Sequence, residues 1–299
     1  MHFAVKPRAA DVAMSERKLP TVCDDESDDA LECAASVFLS DFAGLGYENE
    51  QLIAVTDTSL IFRASTSWFQ GSVSIKLLRS ELLESRFAQK IFSQEAAMVS
   101  ELNHPNIAPL YNYGIASNGA PYMVNHFVPG WSLRELNMQG VVVEPVSLFI
   151  QICEGLAFAH SQNVMHGRLS ASKVIASAVR KDLFVSKIID FSVTAALRWQ
   201  LPFSLASLRS SASPEECFGQ DPDFSSDLYS LGYIMYETLT GSKPTFNRDK
   251  KVIGFSKLRG VSQLLEPLVV RCLAYESKDR YQSANELLFD LRTIEAKIF

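Results

Sequence analysis

The chain has 299 residues, with 28 Lys and Arg against 34 Asp and Glu, a formal charge of −6 and 47% hydrophobic residues. That is enough chain for one large domain or two lobes with their own cores, and the mild acidity excludes a general attraction to nucleic acid or to an anionic membrane. The five cysteines are scattered, odd in number and never in a C-x-x-C pair, so neither a disulfide framework nor a zinc site is suggested, and a reducing cytoplasm is the expected setting. No apolar run approaches the roughly 18 to 20 residues of a membrane span, and M-H-F-A-V-K-P-R lacks a signal-peptide apolar region, so the chain reads as soluble and unexported.

Residues 1 to 27 mix polar, basic and then acidic side chains, ending in D-D-E-S-D-D, and read as a flexible extension. Leu31, Ala35, Phe38 and Phe42 then recur at helical spacing, so a helix is expected over 28–43, docking through its Phe face. From Gln51 the texture becomes short strands: L-I-A-V, S-L-I-F-R-A and S-V-S-I-K-L-L, separated by T-D-T-S and S-W-F-Q-G. The run R-F-A-Q-K-I-F-S-Q-E-A-A-M-V-S-E-L predicts a helix with Phe87, Ile91, Ala97 or Met98, and Leu102 on its buried face, stopped by N-H-P-N. Two more strands flank S-N-G-A, and Pro129-Gly130 marks a boundary. Beyond it four apolar-periodic runs predict a mainly helical region. The fold class is therefore α+β, a small antiparallel-sheet lobe followed by a larger helical one, with a cleft between them.

Ordered marks along about 250 residues make the chain resemble the protein kinase family, most closely the bacterial serine/threonine type. V-S-I-K resembles the kinase V-A-I-K, and Glu95 follows on the next helix. P-Y-M-V-N-H-F-V-P-G sits where the hinge would be, D-F-S where D-F-G would be, S-P-E-E where A-P-E would be, and S-D-L-Y-S-L-G and K-D-R-Y-Q-S-A follow as in kinase C-lobes. The resemblance implies a bilobal fold, with an extension over 1–45, an N-lobe and hinge over 46–128 and a C-lobe over 129–299.

It also implies a damaged site. H-G-R-L-S-A-S-K stands where a kinase has H-R-D-L-K-x-x-N, so Arg168 replaces the aspartate that takes the substrate proton, Ser170 the lysine, and Lys173 the metal-binding asparagine. A guanidinium cannot act as a base near neutral pH, and an ammonium has no lone pair for a metal. Ala54, Thr56 and Ser59 stand at the three phosphate-loop glycines, and Asp57 adds a carboxylate that repels phosphate.

Other positions survive. Lys76 can hold phosphates, Glu95 can pair with Lys76, and Asp190 is a weak candidate metal ligand or the salt-bridge partner of Lys173. Ile53, Ile61, Ser74, Val174, His126 and Val128 are the candidate surroundings of an adenine. His166 beneath Phe191, Asp227, and Glu215 with Arg280 are implied to be structural. The apolar residues between Asp190 and Glu215 either pack that segment down or form a partner surface, and Gly167, where kinases carry an arginine, removes the usual phosphate control. The resemblance thus implies a pseudokinase: a binding, scaffolding or allosteric module in signalling, with a protein partner and weak or no ATP binding that depends little on magnesium. The alternative is a residual or atypical serine/threonine kinase that transfers phosphoryl or nucleotidyl groups with Lys76, Glu95 and Asp190.

Overall fold

The computed structural model describes residues 42–56, 58–68, 70–141, 144–180, 183–191, 211–255 and 260–298. The expected helix over 28–43, apart from its last two residues, Asp57 and the segment 192–210 lie outside the described residues. Phe42, the last aromatic of the expected helix face, is fully buried against Tyr122, with ring centroids 5.0 Å apart.

Five antiparallel strands form the first sheet in the order β1-β2-β3-β5-β4: β1 (Tyr47–Val55), β2 (Ser59–Thr66), β3 (Ser72–Leu78), β4 (Leu110–Ile115) and β5 (Pro121–His126). The period-2 alternation of β3 divides its side chains between two environments. Val73, Ile75 and Leu77 join Phe42, Tyr47, Phe62 and Val124 in one apolar cluster. Ser74, Lys76 and Leu78 lie on the other face, where Leu78 packs with Phe92 and Ala96 of helix α1 (Arg86–Ser100).

Helix α1 starts where Ser85 caps it, its hydroxyl accepting from the Ala88 amide. Its buried stripe is Ala88, Ile91, Phe92, Glu95, Ala96 and Val99, followed by Leu102. This corrects the expected face: Phe87 is only half-buried and Ala97 is exposed, because the helix turns Phe92 and Ala96 toward the sheet and carries Glu95 inward with them.

The rest of the chain holds α2 (Leu133–Gln139), α3 (Pro145–Ser161), α4 (Pro214–Cys217), α5 (Phe224–Thr240), α6 (Val261–Cys272) and α7 (Ala284–Ile298). Helices α3, α5, α6 and α7 share one large core containing Phe149, Ile152, Leu156, Leu231, Ile234, Leu265 and Leu291. Two small sheets accompany them, β6 (Trp131–Ser132), β7 (Val174–Arg180) and β8 (Leu183–Ile188), and the hairpin β9 (Thr245–Phe246) with β10 (Val252–Ile253). At the boundary between the regions Gly130 adopts φ +137° with the Ala176 carbonyl against its Cα, a conformation and a spacing that leave no room for a side chain. No helix among the described residues is long and apolar enough to cross a membrane.

Candidate active site

Lys76 projects from the face of β3 that its registers with Ile61 and Met123 define. Its Nζ donates to Glu95 Oε1 at 2.8 Å and to Asp190 Oδ1 at 2.8 Å. Glu95 is a buried carboxylate within an apolar helix stripe, a placement that is costly unless the charge is paired. Asp190 follows β8, whose end is pegged by backbone hydrogen bonds from Ala108 to Ile188 and from Ile189 to Lys173. Asp190 has φ +60°, a left-handed conformation that aspartate tolerates better than most residues.

The 166–173 loop delivers a second cation to the same carboxylate. Lys173 ends the short turn Ala171–Lys173, and its Nζ contacts Asp190 Oδ2. One carboxylate therefore bridges two ammonium groups. Burial, followed by the positive charges of Lys76 and Arg168, pushes the Lys173 ammonium well below the usual lysine range, down to about 7, with the Glu95 carboxylate opposing that. Two lysines, Lys76 and Lys173, thus face two carboxylates, Glu95 and Asp190. Magnesium needs several oxygen ligands, whereas both Asp190 oxygens here accept from ammonium groups and the neighbouring position offers only donors, so these residues do not fit a divalent ion. Among the described residues, no three His, Cys, Asp or Glu side chains are placed to share a metal.

The loop backbone is held from below. Asp227, at the start of α5, accepts from the His166 amide at 2.7 Å, the Gly167 amide at 2.9 Å and His160 Nε2 at 2.9 Å. Burial acts to raise the Asp227 carboxyl, but the His160 hydrogen bond and the nearby imidazoles outweigh it and hold the group below the usual range. His166 is fully buried beside Phe191, with ring centroids 4.7 Å apart. With Ile189 O accepting from Nε2 and Nδ1 accepting from the Arg168 amide, its hydrogen bonds suit the neutral imidazole. Burial pushes its pKa down from 6.5 to about 4.

Stability is expected to depend on pH through His166 and Glu215. The unfolded chain takes up a proton at His166 below pH 6.5 and the folded one only near 4, so its contribution is present above 6.5 and is lost as pH falls from 6.5 through 4. Glu215 is held down to about 2, since the hydrogen bonds from Arg280 and Ser226 outweigh its burial, and its contribution fades as pH falls from 4.5 through 2. Urea midpoints are expected to drop in two stages, the first losing on the order of 3 kcal/mol between pH 6.5 and 4. A midpoint that stays flat between pH 7 and 5 would show that His166 is not buried neutral.

The turn between β1 and β2 is closed on itself. Ala54 pairs with Ile61 and Val55 with Leu60, so the strands remain paired up to the turn. The Thr56 amide donates to Ser59 O at 2.9 Å, and the Ser59 amide donates to Thr56 Oγ1 at 2.9 Å. Thr56 Oγ1 in turn donates to Ser59 O, and Arg79 reaches Thr56 O. The Thr56 and Ser59 amides are thus both engaged inside the turn.

The expected adenine surroundings need two corrections. Val174 is fully buried in the large helical core, while Ile175, on the opposite face of β7, packs with Val128, Ala108 and Ile189. His126 pairs with Val73 and so lies on the face of the sheet away from Lys76, where its Nδ1 meets Tyr111 Oη at 2.9 Å. Ile61, paired with Lys76, and Ser74, paired with Asn125, share the Lys76 face. Ile53 is half-buried at an irregular point of β1.

Beside the 166–173 loop lies a groove of about 480 Å³ whose lining includes Arg134, Arg168, Ser170, Tyr233, Glu237 and Lys243. Ser170 and Ser172 face each other at 3.0 Å.

Residues 47–291 match the family model described as the protein kinase domain. The chain belongs to the protein kinase family. It is 27% identical over 266 residues to the serine/threonine-protein kinase PknB of Mycobacterium leprae (strain TN), a match covering 82% of this chain and 42% of that protein. It is 28% identical over 275 residues to the serine/threonine-protein kinase PknD of Protochlamydia amoebophila (strain UWE25), covering 77% and 28%. The chain thus spans less than half the length of the curated relatives it matches. The Mycobacterium tuberculosis PknI kinase domain superposes with a TM-score of 0.64 at 19% identity, covering 83% of this chain and 96% of that one, which shows the shared fold.

Within this kinase fold, Lys76, Glu95, Asp190 and Lys173 come together, and His166, Phe191 and Asp227 support them. Glu215 and Arg280 meet elsewhere in the helical region, at 2.7 Å. His160, which completes the Asp227 cluster, was not among the expected residues, because its partner lies 67 residues away and α3 alone gives no sign of it. Tyr233 and Glu237 of the groove were also missed, although their i, i+4 spacing on α5 puts both on one helix face.

Proposed function

We propose that this member of the kinase family is a pseudokinase, a binding and regulatory module in which the catalytic cleft has become a salt-bridged structural centre. The observation that carries the reading is the Lys173 ammonium on Asp190, with Arg168 in the loop position that the resemblance assigns to the catalytic base. The self-bonded Thr56–Ser59 turn supports it from the phosphate side. The module comprises the two lobes, residues 46–128 and 129–299, acts in the cytoplasm through a protein partner, and binds ATP weakly or not at all, with little magnesium dependence. The test is phosphoryl transfer from labelled ATP to a mixed protein substrate and to the chain itself, with magnesium or manganese. No incorporation above a heat-denatured control is expected, and metal-dependent incorporation that disappears in Lys76→Met would overturn the reading.

A second reading has its own support. Lys76 bonds both Glu95 and Asp190 at 2.8 Å, the arrangement an atypical serine/threonine kinase would keep, and positioning with charge stabilisation supplies most of phosphoryl-transfer catalysis. Lys173→Asn separates the two. It frees one Asp190 oxygen and adds an acceptor, so magnesium or manganese affinity in a thermal-shift titration with ATP is expected to rise at least about tenfold. Strong metal dependence already present in the unsubstituted chain would favour the atypical kinase.

A further inference from the structure

Tyr111 and Tyr113 stand two apart on β4, at one edge of the first sheet, and strict alternation would put both on the same face. The register of β4 against β5 separates them. Leu110 pairs with Asn125 and Asn112 with Val124, so Tyr111 is the extra residue of a β-bulge. Tyr113 pairs with Met123, which packs with Phe92 and Ala96 of α1. Tyr111 turns to the other face, where its Oη meets Nδ1 of His126 at 2.9 Å and the two rings stand edge to face with centroids 5.9 Å apart. Bulges that re-aim one side chain in this way are over-represented beside reactive groups.

His126 is fixed in place and held in its neutral form. Its amide donates to Pro109 O at 2.9 Å, and across the sheet it pairs with the buried Val73. Burial, followed by the nearby Lys187 ammonium, lowers the imidazole below its usual range, so that Nδ1 keeps a lone pair at neutral pH. Lys187 is itself anchored, donating to Pro105 O. Burial raises the Tyr111 phenol, which therefore keeps its proton at neutral pH and is a weak nucleophile unaided. An imidazole within hydrogen-bond reach supplies what such a phenol lacks, a base that takes the proton as the new bond forms. Tyr111 is 45% exposed, and Tyr113 is 46% exposed on the opposite face, so the two are equally open to solvent and differ in having this base.

We propose that Tyr111 is a modification site, the acceptor of an acyl group from a small activated donor such as an acyl phosphate, with His126 as its general base. Tyr111 Oη attacks the carbonyl carbon of the donor while its proton passes to His126 Nδ1. The bond from that carbon to the leaving oxygen breaks, phosphate departs with the electron pair, and an aryl ester remains on Tyr111. His126 then releases the proton to water, and nothing is oxidised or reduced. A tyrosine modified by a partner enzyme takes its base from that enzyme, whereas an acceptor with its own base suits a free donor. The pair lies on the face of the sheet away from Lys76, so this inference does not depend on what the cleft does.

The test is acetylation of the full 299-residue chain by p-nitrophenyl acetate and by acetyl phosphate at neutral pH, with the acetyl group located by peptide mass spectrometry. Tyr111 is expected to react at least about tenfold faster than Tyr113, a modest part of what a positioned base supplies. This comparison needs no substitution. His126→Gln keeps an acceptor for the phenol but cannot take its proton, and is expected to slow Tyr111 at least about tenfold with the Tyr113 rate and the melting temperature unchanged. Acetyl phosphate, which could give up either end, is expected to leave an acetyl group. A Tyr111 rate within about twofold of the Tyr113 rate would overturn the proposal, as would a His126→Gln rate within about twofold of the parent. A phosphoryl group on Tyr111, or an acetyl group that stays on His126, would also overturn it.

Discussion

Asp190→Ala is expected to destabilise the protein by about 2 to 4 kcal/mol, measured as a shift in urea midpoint at unchanged m-value. The cost of removing a carboxylate depends on whether protein cations are left without their partner. Here the same carboxylate is the shared partner of Lys76 and Lys173, whose side chains are only 14% and 24% exposed. Removing it takes the bridging carboxylate from both lysines and leaves Glu95, bonded to Lys76 at 2.8 Å, as the remaining carboxylate. The range sits slightly below the roughly 3 to 5 kcal/mol of a fully buried pair, because Asp190 keeps 22% exposure and water can reach Lys173. Lys173→Met combined with Asp190→Ala should recover much of the loss, as deleting both members of a buried pair removes the unpaired charge. A stabilising effect of Asp190→Ala alone would show that Asp190 is held for function, and would favour the atypical kinase.

Arg280→Ala is expected to cost about 3 to 5 kcal/mol, enough to unfold a protein of ordinary stability near physiological temperature. Arg280 is 1% exposed, and its guanidinium makes two parallel bonds of 2.7 Å to Glu215. It also donates to Ala274 O and Tyr275 O and lies 4.9 Å from the centre of the Tyr229 ring. Alanine there leaves a cavity, an unpaired carboxylate and two partly buried carbonyls without their donor. Arg280→Lys should recover only part of the loss, since an ammonium cannot match the planar fork. Chemical denaturation of the three proteins decides it, and an Arg280→Ala loss below about 1 kcal/mol would mean that water replaces the guanidinium.

The sequence made the architecture and the loop replacements legible for a simple reason: both are written in local patterns. Alternation in S-V-S-I-K-L-L places Lys76 on its face of the sheet, and the order of motifs sets Arg168 and Lys173 in one loop. What failed was parity and distance. Val174 and Ile175 are equally apolar, and only the register of β7 against β8 decides which one enters the helical core. His126 follows a hinge-like motif, but its pairing with Val73 turns it away from Lys76. Helix α2 spans seven residues, too few for a period to emerge, although its capping box of Ser132 and Glu135 was there to be read. The hairpins β7–β8 and β9–β10 were hidden in a region expected to be mainly helical, since strands of two to seven residues give little alternation. His160 and Asp227 meet across 67 residues through the packing of α3 on α5, which no local window contains.

The closed turn at Thr56 and Ser59 has a consequence for isotope exchange. Both amide protons are engaged by oxygen atoms of the turn itself, so their deuterium uptake depends on the opening of the hairpin and not on anything docked above it. Uptake at these two positions should be slow for a turn and unchanged by saturating ATP, which makes them an internal clock against which slowing elsewhere in the cleft can be timed.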